Sequence, residues 1–178
     1  MMRRRLISFC AALAAFAFVA APAEAMKFER VVSPGGIEAW LVEETAVPVI
    51  VMNVSWAGGS ASDPKGKEGL ANLASGLFDE GAGDLDSETF QKKLAATGAV
   101  MSFSEDRDYF EASFKTLAEK RDDAFGLFGL AVTSPRFDPD AVERIRAQIA
   151  TIIARNMEDP GWIAAQGWYK AAYGNHPY

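Results

Sequence analysis

Few residues in this chain of 178 are equipped for chemistry. It has one cysteine, Cys10, and one histidine, His176. The stretch Glu68–Gly81, E-G-L-A-N-L-A-S-G-L-F-D-E-G, places Asn72, Ser75 and Gly76 at i, i+3 and i+4. On a helix, that spacing lets two histidines converge on one zinc ion while a glutamate beside them reaches the bound water. Here the three positions hold an amide, a hydroxyl and a bare backbone. The same stretch carries Leu70, Leu73, Leu77 and Phe78 at i, i+3, i+7 and i+8, which reads as one buried helical stripe.

The other polar candidates read as structure. His176, beside Pro177, is expected to be a structural hydrogen-bonding residue. The acidic clusters Asp79-Glu80 and Glu105-Asp106-Arg107-Asp108 read as solvated turns. Trp162, Trp168 and Tyr169 on one helix read as core or interface. Gly66-Lys67 suggests a phosphate loop, but that motif needs glycine at 61 and serine or threonine at 68, where Ala61 and Glu68 stand.

The elements that position these residues form an ordered series. Lys27–Val32, Ile37–Val42 and Val47–Trp56 read as strands, the first two joined by Ser33-Pro34-Gly35-Gly36 and the third expected to be buried on much of both faces. Ala57–Gly69 is a polar, glycine-rich loop leading into the Glu68–Gly81 helix, which Gly81 and Gly83 are expected to end. Asp86 or Ser87 caps a second helix with Phe90 and Leu94 inward, ended by Thr97-Gly98-Ala99. Val100–Ser104 and Tyr109–Lys115 form an antiparallel hairpin. Leu117–Val132 is a third helix, with Leu117, Ala124, Phe125, Phe128 and Ala131 on one side. Asp138-Pro139 opens a long helix whose stripe is Val142, Ile145, Ile149, Ile152 and Ile153. Asp159-Pro160-Gly161 ends or kinks it before a last helix.

Residues 1–25 read as a secretory signal peptide: Arg3-Arg4-Arg5, an apolar run Leu6–Ala21 too short to span a bilayer comfortably, and a small-x-small site at Ala23-Glu24-Ala25. Cys10 lies inside the run behind Phe9, not at a lipoprotein cleavage point. Residues 26–178 then form one domain, periplasmic or secreted, starting at Met26 after cleavage near Ala25. Losing three arginines and one glutamate leaves 15 basic and 23 acidic residues, a net charge of −8 against −6 for the whole chain. That acidity argues against nucleic acid and against anionic membranes as partners. With Cys10 gone, the domain folds in an oxidising compartment without a disulfide.

Seven landmarks, in order, carry a resemblance. They are Pro34–Val42 (P-G-G-I-E-A-W-L-V), Glu68–Ala71 (E-G-L-A), Phe78–Ala82 (F-D-E-G-A), Thr97–Ala99 (T-G-A), Phe137–Arg144 (F-D-P-D-A-V-E-R), Glu158–Pro160 (E-D-P) and Tyr173–Tyr178 (Y-G-N-H-P-Y). Together they resemble the N-terminal lobe of the pitrilysin/insulinase metallopeptidases over residues 27–178. The family includes the mitochondrial processing peptidase and the core subunits of respiratory complex III.

The resemblance implies an α+β fold, a mixed or antiparallel sheet packed on one side by helices, in a lobe truncated at its C-terminus. The family uses zinc, held by the two histidines of H-x-x-E-H and a distant glutamate. Carried over, the first histidine falls on Asn72, the catalytic glutamate on Ser75 and the second histidine on Gly76. The distant glutamate falls on Ile152, 76 residues after Gly76. No catalytic or metal residue and no cofactor is therefore expected in this chain. The family's substrate-binding edge carries Asn-Ala where this chain has Met101-Ser102. The expected role is that of a non-catalytic subunit pairing with a zinc-bearing paralog in a peptide-degrading chamber. The alternatives are a scaffolding member with no part in proteolysis and a metallopeptidase in its own right.

Overall fold

The structure is a computed structural model and describes residues 27–174 and 176. The signal-peptide reading of residues 1–25, the cysteine at position 10 and the start at Met26 lie outside the described residues. So do Asn175, Pro177 and Tyr178 of the last landmark. The described chain forms two compact units, the first ending at Val47 and the second beginning at Pro48.

The first unit is a hairpin of β1 (Phe28–Val32) and β2 (Glu38–Val42), paired from Phe28↔Val42 to Val32↔Glu38. Ser33 closes its turn. The Gly36 amide donates to the Ser33 carbonyl at 2.9 Å, and Gly36 takes a φ of 84° that suits a residue without Cβ. Phe28 and Trp40 meet on the hairpin with ring centroids 5.0 Å apart.

The second unit is built on an antiparallel sheet of β3 (Val49–Ala57), β6 (Val100–Glu105) and β7 (Tyr109–Leu117), in the order β3-β7-β6. β7 alternates strictly: Ala112, Phe114 and Thr116 point inward and are buried, while Glu111, Ser113 and Lys115 point out. On the inward face lie α2 (Ser87–Thr97) and α3 (Arg121–Thr133). Phe90 and Leu94 of α2 and Ala124, Leu127 and Ala131 of α3 meet Met101 and Phe114 of the sheet in one core. This is the one-sided α+β arrangement expected. Asp86 caps α2 by accepting from the Thr89 amide at 2.8 Å, and Gly98 ends it at a φ of 64°.

Several expectations change. β3 alternates between half-buried and exposed residues and lies at a sheet edge, so it is not buried on both faces. The Glu68–Gly81 helix shrinks to α1 (Leu70–Ser75), with Gly76 at its C-cap. Gly81-Ala82 instead pairs as β4 with Leu85-Asp86 as β5, a two-residue hairpin that helical periodicity hid. α3 begins at Arg121 because Leu117 stays in β7 opposite Val49, and a 3-10 turn (Ala118–Lys120) intervenes. Finally, α4 (Pro139–Glu158) buries only the first half of its stripe: Ile145 is buried, whereas Ile152 and Ile153 are 48% and 52% exposed. No residue of α5 (Pro160–Tyr173) is buried, so Trp162, Trp168 and Tyr169 are not core.

One end of the sheet is locked by backbone contacts. The amides of Gly58, Ser60 and Ala61 donate to the carbonyls of Asp108, Asp106 and Arg107, each at 2.8 Å. The Asp106 carboxylate in turn accepts from the Asp108 and Tyr109 amides at 2.7 and 2.6 Å. A Cβ on Gly59 would stand 2.2 Å from the Asp106 carbonyl oxygen and 2.7 Å from the Tyr109 nitrogen. Gly59→Ala must therefore displace backbone, and equilibrium denaturation should show a loss of at least about 2 kcal/mol. An unchanged midpoint would mean that this junction is not rigid.

Candidate functional site

α1 and α4 carry all four positions at which the resemblance places zinc chemistry. α1 is only six residues long, too short to be stable by itself. It is held by what it rests on. Leu73 and Leu77 pack against Ala141, Val142, Ile145 and Ile149 of α4. The expected single stripe of α1 is in fact divided: Leu73 and Leu77 face α4, Phe78 joins an aromatic group with Phe103, Phe110 and Phe137, and Leu70 is 46% exposed. Phe137 is the one non-glycine residue at positive φ among the described residues, at 51°, and its ring meets the edge of Phe78 at 5.6 Å.

A charged clamp reinforces the α1–α4 contact. Arg144 of α4 donates both Nη groups to the Glu80 carboxylate, at 3.0 and 2.7 Å, and Ser87 Oγ adds a bond at 2.5 Å. The Arg144 guanidinium, opposed by burial, holds the Glu80 carboxyl below its usual range. Its neighbour Asp79 goes the other way, because burial raises its pKa. Asp79-Glu80 is therefore a half-buried, engaged pair and not the solvated turn expected. Nothing local to Phe78–Ala82 signals this, since Arg144 lies 64 residues on. The Glu105–Asp108 turn is solvent-exposed at Asp106, Arg107 and Asp108 as expected, with the Asp106 carboxylate capping the turn's own amides and Glu105 accepting from Asn72.

The four positions themselves are occupied by other business. Asn72 Nδ2 donates to Glu105 Oε1 of β6 at 3.1 Å, and Ser75 Oγ donates back to the Asn72 carbonyl at 2.8 Å. A Cβ on Gly76 would stand 2.8 Å from Ile145 Cγ2, inside any ordinary contact. Ile152 lies on α4, one turn beyond Ile149, and is half exposed. The structure thus brings Asn72, Ser75 and Gly76 together on α1 and sets α1 on the helix that carries Ile152. Ile145, the residue that closes off Gly76, was visible in the sequence only as one more apolar residue of a stripe.

This donor set does not fit zinc. An amide committed to a carboxylate, a hydroxyl committed to a carbonyl, a glycine and an isoleucine offer no imidazole or thiolate. Among the described residues, no group of three or more histidine, cysteine, aspartate or glutamate side chains converges. His176 lies past the end of α5, its ring 6.3 Å from Tyr173 and its amide donating to the Tyr173 carbonyl at 2.9 Å. Met101 of edge strand β6 turns its side chain into the core, and Ser102 is exposed. On another flank of α1 lies an open, apolar cavity of about 310 Å³ floored by Phe78 and Phe110. Its one carboxylate, Asp63, is used up by the Gly69 and Ala71 amides at 2.7 and 2.9 Å.

Two measurements test this geometry. Gly76→Ala should cost about 1–3 kcal/mol by overpacking, and Gly76→Ala with Ile145→Leu, which removes the obstructing branch, should cost less than the sum of the two. Strict additivity in that double-mutant cycle would sink the contact. Arg144→Met should lower stability at neutral pH by about 1 kcal/mol, the modest end for a charge-assisted pair because Arg144 is half exposed. Glu80 has a depressed folded pKa. Its contribution is therefore full above its unfolded pKa, near 4.3, and is lost as pH falls through the folded value. The wild-type and variant stabilities should converge in that acid window. For Asp79, raised by burial, the sign reverses: its stabilising contribution is full below its unfolded pKa and is lost as pH rises, so Asp79→Asn should stabilise the protein at neutral pH.

The sequence matches the profile of Insulinase (Peptidase family M16) over residues 42–178. It is 21% identical over 135 residues to the non-peptidase homolog YmxG of Helicobacter pylori (strain ATCC 700392 / 26695), covering 76% of this chain and 31% of that protein. Among solved structures, the peptidase M16 inactive domain from Pseudomonas fluorescens superposes with a TM-score of 0.78 at 26% identity, covering 86% of this chain and 37% of that one. Pitrilysin superposes with a TM-score of 0.63 at 16% identity over 76% of this chain and 15% of its own, which bears on the fold alone. The chain thus spans about a third of the length of the first relatives it matches. With the profile covering most of its residues, the chain belongs to the insulinase family, M16.

Proposed function

We propose that this chain is a non-catalytic member of its family that pairs with a zinc-bearing paralog to form a periplasmic peptide-degrading chamber. The observation that carries the reading is the contact of Gly76 with Ile145. At the position assigned to the second histidine a Cβ would stand 2.8 Å from Ile145 Cγ2, so any side chain there requires Ile145 to shift, and Asn72, one turn before it, is bonded to Glu105. The scaffold that would hold a catalytic helix is kept, while the metal donors and the general base are replaced. Two relatives support it: one is described as a non-peptidase homolog and another as an M16 inactive domain. The paralog would supply the zinc and the base, and this chain would supply a wall of the chamber and contacts to the peptide. Such a pair takes unfolded peptide and no nucleic acid.

A second reading is a scaffolding member that handles no peptide. It shares the replaced donor set and differs in outcome. Co-expression with an H-x-x-E-H-bearing paralog should give a co-purifying complex whose peptide turnover exceeds that of the paralog alone. A complex without any rise in turnover supports the scaffold, and no complex refutes both. A metallopeptidase acting alone requires one zinc per chain and chelator-sensitive cleavage by the isolated protein. Either result would overturn the proposal.

A further inference from the structure

The positions that the resemblance assigns to zinc are not equally lost. Asn72, Ser75 and Ile152 each carry a side chain, so a longer one would start from a Cβ that the fold already houses. Asn72 already donates to a carboxylate, Glu105, of the kind that orients a metal-binding imidazole. Gly76 differs. Its backbone, at φ −78° and ψ 0°, is open to any residue, so the glycine is not there for conformational freedom. What stands against a side chain is Ile145 Cγ2, 2.8 Å from where a Cβ would be. The other atom within 4 Å, the Leu73 carbonyl oxygen, is at 3.7 Å, an ordinary contact. The obstruction is one methyl group.

Three features keep that methyl in place. Isoleucine is branched at Cβ, and on a helix such a side chain strongly prefers one χ1 rotamer, so Cγ2 does not swing aside freely. Ile145 is buried with Leu77 and Ala141, and Leu73, Val142 and Ile149 pack against them. α4 itself is held in register at the preceding residue, where Arg144 is forked onto Glu80 at 3.0 and 2.7 Å.

We infer that Ile145 is a further determinant of the lost metal site: while it is present, this scaffold rejects a zinc ligand at position 76 even with ligands restored at 72 and 152, and its Cγ2 methyl is what rejects it. The inference rests on the zinc positions that the resemblance assigns. It does not depend on pairing with a paralog and is tested without one.

The test is a titration of the whole chain with zinc against a chromophoric chelator. Asn72→His with Ile152→Glu supplies two ligands. Adding Gly76→His to that pair should leave the zinc Kd nearly unchanged. Adding Gly76→His and Ile145→Leu together should tighten it by at least about ten-fold, the scale on which a site responds to misplaced ligands. Ile145→Leu keeps the side-chain volume and removes the branch at Cβ. Ile149→Leu is the control, since Ile149 lies on the same stripe with no atom within 4 Å of that Cβ position, and it should give no gain. Chemical denaturation without zinc is the second readout. Gly76→His alone should lower the midpoint, and Ile145→Leu should recover much of the loss where Ile149→Leu recovers none. A chain that fails to fold with Gly76→His and folds once Ile145→Leu is added supports the inference, and failure on both backgrounds overturns it. Equal zinc affinity with and without Ile145→Leu, tight or weak, also overturns it. So does a rescue by Ile149→Leu as large as that by Ile145→Leu.

Discussion

The approach of Gly76 to Ile145 is the constraint on which the rest of this site depends. α1 has too few residues to persist as an isolated helix, so it exists because Leu73 and Leu77 have α4 to rest on. The closeness of that contact follows from the absence of a side chain at 76. Its position is pinned by the two-pronged bond from Arg144 to Glu80, just beyond the helix. The Gly76–Ile145 contact and the position assigned to a metal ligand are the same atoms. Packing of this kind at Gly76 leaves the position with van der Waals contact and no donor atom.

The polar atoms nearby show the same trade. Asn72 and Ser75 keep hydrogen-bonding groups but spend them inside the protein, on Glu105 and on the helix backbone. Asp106 spends its carboxylate on the amides of its own turn, and Asp63 spends its own on the amides entering α1. Carboxylates are plentiful in an acidic chain, yet Asp63, Glu80, Glu105 and Asp106 are tied to backbone amides, to Arg144 or to Asn72 and not to one another. This is what separates a structural acid from a metal-binding one: the direction in which its lone pairs are used.

The two ends of the second unit differ in kind. Around Gly59 and Asp106 the backbone of the loop before α1 is stitched to the β6–β7 turn. Beyond Ile149 the stripe of α4 continues without a cover, and α5 adds aromatic rings to that uncovered surface.

Much of this was legible in the residues. Asp86 before a periodic run, Gly98 after it, Pro139 behind Asp138, and two strand-like runs flanking the polar turn Glu105–Asp108 each specify an element by local chemistry, and each element is present. That Asn72, Ser75, Gly76 and Ile152 bring no imidazole and no carboxylate is plain from the sequence; that zinc chemistry would fall on these positions is what the resemblance implies. Other features were not legible. The shortening of the Glu68–Gly81 helix at Gly76, the β4–β5 hairpin, and the division of Leu73 from Phe78 depend on which neighbours arrive. So does the engagement of Glu80, whose partner is 64 residues away. A stripe in a sequence states that apolar residues share a helix face, but it cannot state how far along that face a neighbour extends. Only the tertiary structure decided that burial stops after Ile149, because burial belongs to pairs of surfaces and periodicity belongs to one.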